Sequence, residues 1–227
     1  MMTHHTYSLV GRCERTGMLG IAVTTSSIAV AARCVWLEAS VGAVTTQNVT
    51  DPRLGQLGLA LLRQGYGARA VVEELVRAGQ YPEYRQLACV DRDGASATWT
   101  GVKAFPTAAE LSERNLAVTG NLLASAGVID AMAAAFRATP DLHLADRLVR
   151  ALAAGKAAGG EVGGNEHSAG LKVVDRDSFP LVDLRVDWVE SDPVGRLDEL
   201  WARYRAEMDL YRLRAVDPPA AEARRQE

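Results

Sequence analysis

The chain has 227 residues, of which 48% are hydrophobic and 23% charged, and its formal net charge is −3. Those values fit one large soluble globular domain with length enough for a continuous core. So small a charge gives no electrostatic reason to expect nucleic acid or an acidic membrane surface as a partner.

Residues 7–11 and 19–24 read as two short strands around the turn Glu14-Arg15-Thr16-Gly17, an N-terminal hairpin. A third strand, residues 41–49, follows a less regular segment that includes Ser26 and Trp36. Asp51-Pro52 then marks a helix start, with Asp as N-cap and Pro in the first turn. Leu54, Leu57 and Leu61 share one face of that helix. A second helix carries Ala68, Val71, Val72, Leu75 and Val76 and stops near Gly79. Residues 87–91 and 96–101 form another hairpin around Asp91-Arg92-Asp93-Gly94.

Residues 116–120 read as a sixth strand, ending in Gly120-Asn121. Two helices follow, one lined by Val128, Ile129, Met132, Ala133 and Phe136, the other by Leu144, Leu148 and Leu152. Residues 171–174 and 181–186 make a final hairpin. Asp192-Pro193 opens one long helix on which Val194, Leu197, Trp201, Tyr204, Met208 and Tyr211 recur at three- and four-residue steps. That seam predicts packing onto the chain's own domain or a homodimer contact. Pro218-Pro219 ends the predicted order, giving a single domain over residues 1–215 and a loose tail over 216–227. Strands, two helices, strands, two helices, strands: this order predicts an α+β fold with antiparallel sheets and helices packed outside them.

Three cysteines, Cys13, Cys34 and Cys89, favour reduced thiols over a disulfide framework. No basic n-region with an apolar stretch opens the sequence, and no apolar run approaches membrane-spanning length. A cytoplasmic location is the expectation.

The densest chemical signal is residues 159–170, which hold five glycines around Glu166, His167 and Ser168 and run into a strand. Glycine in such number suits positive φ or a close backbone approach, and polar groups at such a junction sit where sites are built. No Cys/His spacing supports a metal, the Lys-Ser/Thr ending of a phosphate loop is missing, and the glycines precede a strand rather than a helix. No cofactor is implied. Asn121 could donate its amide to a developing oxyanion or simply occupy a turn. Gln47 belongs to the polar strand end Thr45-Thr46-Gln47-Asn48. Asp183, Arg185 and Asp187 alternate along one strand face, as an ion-pair ladder or as a cradle in which Arg185 orients a substrate carboxylate.

Six blocks taken together resemble the bacterial family designated domain of unknown function 1028. They are Thr6-Tyr7-Ser8-Leu9-Val10, residues 16–23, residues 41–47, Gly120-Asn121-Leu122-Leu123, the loop from Gly159 to Ser168-Ala169, and Asp183-Leu184-Arg185-Val186-Asp187. The resemblance implies an N-terminal nucleophile (Ntn) hydrolase-like fold, a four-layer αββα sandwich. It also implies that Thr6 is the nucleophile with its own α-amine as base, an amine that titrates at about 7.7–8.0. Here His5 precedes Thr6, so the mechanism requires cleavage between them. Without that cleavage, Glu166 or His167 would act on water while Asn121 and Gln47 hold the carbonyl and Ser26 adds a hydroxyl. Glu161 and Ser168 complete the loop's contacts with substrate. Glu161 and His167 stand where the family often has Asp and Gln, a difference that bears on substrate. The resulting expectation is a hydrolase of a non-peptide C–N bond in a small amide, ureide or cyclic imide. The alternative is a non-catalytic small-molecule-binding protein on the same fold. Either would be expected to form a homodimer or higher homo-oligomer.

Overall fold

The N-terminal hairpin forms where the alternating sequence places it. In a computed structural model that describes residues 5–163 and 166–224, β1 (Thr6–Arg12) pairs antiparallel with β2 (Leu19–Thr25), Leu9 opposite Ala22. A one-turn helix, α1 (Ala31–Cys34), leads to β3 (Val35–Glu38) and β4 (Gly42–Asn48). Helices α2 (Pro52–Arg63) and α3 (Ala68–Ala78) follow, then a 3-10 turn (Pro82–Tyr84). Next come β5 (Arg85–Asp91), β6 (Ser96–Thr100), β7 (Ala109–Glu113) and β8 (Leu116–Asn121). After them run α4 (Gly127–Arg137), α5 (Leu144–Ala157), β9 (Ser168–Val174) and β10 (Val182–Val186). The chain closes with α6 (Pro193–Arg205), α7 (Met208–Val216) and α8 (Pro218–Arg224).

The strands build two antiparallel sheets, ordered β10-β9-β2-β1-β8-β7 and β3-β4-β5-β6. This is an α+β fold. Strand alternation sends successive side chains of β1 to opposite faces. Tyr7 and Leu9 join Met132, Phe136, Leu148 and Leu152 in a core against α4 and α5. Val10 instead meets Ala43, Ala88 and Val90 of the second sheet. A third cluster, with Leu54, Leu62, Val71 and Leu75, packs α2 and α3 on the far face of that second sheet. Towards the start of β1 the layer between the sheets turns polar. Ser8 Oγ donates to Gln47 Oε1 at 2.6 Å, and Gln47 Nε2 donates to Gln86 Oε1 at 2.8 Å. Buried polar groups persist when they are hydrogen-bonded in this way, and this gradient from apolar to polar leads to Thr6.

Four local features differ from the sequence reading. Strands β3 and β7 were not expected. Both are edge strands; β3 is half-buried throughout and β7 alternates Glu110 and Ser112 with its inward residues, so neither carries a clear apolar face. The single long C-terminal helix is two, α6 and α7, parted around Ala206 and Glu207. The apolar seam keeps its phase through the break, so periodicity does not mark it. Val194, Leu197, Trp201 and Met208 are buried in the chain's own core, and Trp201 Nε1 donates to Asp146 Oδ1 at 2.9 Å. Residues 218–224 form α8 rather than loose chain. Asp217 Oδ1 accepts from the Ala220 amide at 3.1 Å and prolines occupy the first turn, while Ala221 is buried. Residues 225–227 of the expected tail lie outside the described residues. Among the described residues all three cysteines are free and buried. No described helix is long and apolar enough to cross a membrane.

Candidate active site

Thr6 opens β1 on the face turned to the second sheet, beside Thr25 on one side and Asn121 on the other. Its Oγ1 lies 3.0 Å from Thr25 Oγ1. The Thr25 hydroxyl donates in turn to the His5 carbonyl oxygen, so Thr6 is the donor in its own bond to Thr25. Thr6 borders a cleft of about 610 Å³ lined also by Ser26, Ile28, Arg33, Val49, Phe105 and Trp188. That volume suits a small molecule.

His5 and Tyr7 point to the opposite face of β1, and the glycine loop closes over them. Glu161 is 1% exposed, and its Oε2 lies 3.5 Å from His5 Nδ1. Burial, reinforced by the charge of Glu166, pushes the Glu161 carboxyl up to about 9; the Ser26 backbone N–H acts in the other direction. Glu161 is therefore a neutral acid at neutral pH. Glu166 is also buried and accepts from Tyr7 Oη at 3.2 Å and from the Glu161 amide at 3.4 Å. Desolvation raises the Tyr7 phenol, and the two carboxylates add to the shift, so Tyr7 stays a proton donor.

His167 leaves this cluster and packs against Trp188 of the cleft lining. Its amide donates to Thr25 O at 2.8 Å, and its ring stacks on Trp188 with centroids 4.3 Å apart. Nδ1 is 2.8 Å from the Val189 carbonyl. A carbonyl can only accept, so Nδ1 carries a proton. Ser168 braces the loop before α1: its Oγ donates to Ser27 O at 2.6 Å and accepts from Val30 N at 3.2 Å. Ser26 Oγ accepts from the His5 amide at 3.0 Å.

With this geometry established, a family model described as a family of unknown function, DUF1028, matches residues 6–197. The chain belongs to that family. The crystal structure of another DUF1028 protein, SPO2555 from Silicibacter pomeroyi, is 29% identical over 88% of this chain and 89% of that chain, with a TM-score of 0.81. Anbu, an ancestral β-subunit from Yersinia bercovieri, is 12% identical over 89% of this chain and 96% of that chain, with a TM-score of 0.44. No functionally curated protein matches.

The DUF1028 fold thus gathers Thr6, Ser26, Glu161, Glu166, His167 and Ser168 at one end of the first sheet. Gln47 and Asn121 lie deeper between the sheets. Asn121 Nδ2 donates to Gln86 Oε1 at 3.1 Å, the same oxygen that Gln47 uses, and neither residue borders the cleft. Asp183 and Arg185 are not brought to the cleft. On β10 Asp183 pairs with Lys172 at 3.0 Å, and Arg185 pairs with Asp187 at 2.8 Å, the ladder that strand alternation also allowed. Gly164 and Asn165 of the glycine loop lie outside the described residues. Among those described, no group of three His, Cys, Asp or Glu side chains is placed to hold a metal ion. Thr25, Tyr7, Arg33 and Trp188 enter the site without having been singled out as site residues in the sequence. Their signal lies beside or in register with Thr6, or in segments too short to show periodicity.

Gly160 shows why the loop needs glycine. Its φ is +54°, and a Cβ there would stand 2.5 Å from Glu166 Oε1. That oxygen is held by Tyr7 and the Glu161 amide, so it has little freedom to move aside. Gly160→Ala is expected to cost about 1–3 kcal/mol, through the left-handed backbone and the displaced carboxylate. Urea unfolding measures it; an unchanged midpoint would show that the loop adapts freely.

Proposed function

We propose that this protein is a hydrolase of a non-peptide C–N bond in a small amide, ureide or cyclic imide, with Thr6 as nucleophile. The observation that carries the reading is the chain from Thr6 Oγ1 through Thr25 Oγ1 to the His5 carbonyl, at the edge of a cleft of ligand size. The fold is read as a four-layer αββα sandwich of the Ntn type. Packing of α4 and α5 on one sheet, and of α2 and α3 on the other, supports it.

In a first step the Thr6 hydroxyl adds to the His5 carbonyl carbon. Thr25 stabilises the oxyanion by donating to it, and collapse breaks the C–N bond as the hydroxyl proton passes to the departing nitrogen, leaving an ester on Thr6 Oγ1 and a free Thr6 α-amine. Water then hydrolyses that ester, releases the preceding residues as a carboxylic acid and frees the Thr6 hydroxyl. In turnover the α-amine takes the hydroxyl proton as Thr6 attacks the substrate carbonyl, and returns it to the leaving nitrogen. Water clears the acyl group. A neutral Glu161 beside the His5 side chain suits this chemistry, because a carboxylate there would favour the protonated form of the freed amine. His167, stacked on Trp188 of the cleft lining, is the alternative general base.

Intact mass, together with amine release from a panel of small amides, tests the reading. A chain beginning at Thr6 that turns over an amide is the expected result. A chain that retains His5 removes the amine mechanism. The peptide linkage of Thr6 to His5 also favours a second reading, a small-molecule-binding protein without turnover, which the same panel separates.

A further inference from the structure

We infer that Arg33 forms an anion subsite in the Thr6 cleft, so that the ligand carries a carboxylate beside an apolar, flat group. The inference rests on the reading of that cleft as the substrate site, and it names the class of substrate.

Arg33 borders the same cleft as Thr6. Its guanidinium is held by neutral acceptors: Nη1 donates to Ile28 O at 2.7 Å and Ala29 O at 3.3 Å, and Nη2 donates to Ser27 Oγ at 2.9 Å. The described ion pairs include no carboxylate on Arg33. That contrasts with Arg185, whose fork is occupied by Asp187. A cation fixed by carbonyls and left without a counter-charge is preorganised for an anion: its orientation is already set and N–H groups remain. Of the guanidinium's five N–H groups these contacts engage three.

The remaining walls are apolar and open. Ile28, Val49 and Trp188 are 58%, 41% and 47% exposed, and Phe105 belongs to the same lining. Large apolar side chains left in water around one cleft mark a binding surface rather than a core. Trp188 is already stacked on His167, which fixes its plane for an aromatic or planar group. A carboxylate at Arg33, a planar body against Trp188 and Phe105, and an amide towards Thr6 together describe an N-acyl or N-carbamoyl amino acid.

N-benzoylglycine and its uncharged analogue N-benzoylglycinamide differ at the carboxylate alone, and they serve as the probes. Calorimetric titration of the full-length Thr6→Ala chain reads binding without turnover. The acid is expected to bind roughly 10- to 100-fold more tightly than the amide, the range of one charge-assisted contact. Arg33→Met should abolish that preference and leave the affinity for the uncharged amide unchanged, which also shows the cleft intact; Arg33→Lys should restore part of it. Equal affinities in the Thr6→Ala chain, a preference that survives Arg33→Met, or no binding of either probe at millimolar concentration overturns the subsite. Failure of the hydrolase reading looks different: the acid is preferred, yet no amide is cleaved by the wild-type chain.

Discussion

Thr6→Ala is expected to abolish amide hydrolysis, with kcat/KM falling on the order of 10⁴-fold or more, and to leave His5 attached. Both effects follow from one atom. Thr6 Oγ1 borders the cleft and belongs to the residue whose peptide bond to His5 it would break. Removing a nucleophile costs several powers of ten because the remaining groups have nothing to activate. The fold should tolerate the change. Thr25 keeps its bond to the His5 carbonyl and a contact from the Ser27 amide, so the loss is one buried hydroxyl contact, about 1 kcal/mol. Thr6→Ser keeps the oxygen and should retain cleavage and part of the turnover. Three readouts decide: intact mass, melting temperature and product release for wild type, Thr6→Ala and Thr6→Ser. A Thr6→Ala chain that still turns over substrate would move the chemistry to His167 acting on water.

The sequence carried the parts of the fold whose physics is local. Alternation placed β1, β2, β5 and β8, and Asp-Pro placed the starts of α2 and α6. The same Asp-Pro signal stands at Asp217-Pro218, where the second proline masks a helix start that the structure confirms. Edge strands β3 and β7 escaped because half-exposed strands need no apolar face. The site was legible where candidates lay in one segment: Glu161, Glu166, His167 and Ser168 share a loop and remain near Thr6. It was not legible where chemistry depends on what a side chain meets across the fold. Strand alternation already offered Asp187 to Arg185, but nothing in the sequence tells that Arg33 meets backbone carbonyls instead. Thr25 illustrates the same limit, since its place beside Thr6 comes from strand register.

Glu161→Gln is expected to make the protein more stable at pH 8 and to flatten its pH dependence. The Glu161 carboxyl titrates in the folded chain at about 9, against about 4.3 when exposed in the unfolded chain. Between those values the folded state holds a proton that the unfolded state has lost. The stabilisation linked to that proton is complete below the unfolded pKa and drains away as pH rises to the folded one, by at most about 1.4 kcal/mol per pH unit. The cause is geometric. Glu161 is buried with Glu166 as its neighbour and His5 Nδ1 at 3.5 Å, and ionising it would place a second negative charge in a site already shielded from water. Glutamine keeps the shape and a hydrogen-bond donor without the titration. The Thr6→Ala background is the right host, because it keeps His5 beside Glu161. Denaturant midpoints from pH 5 to pH 9 should fall for the host chain and stay nearly level once Glu161→Gln is added. Parallel profiles for the two would assign the pH dependence to other groups and would leave Glu161 ionised at neutral pH, where it would hold a freed Thr6 amine in its inactive, protonated form.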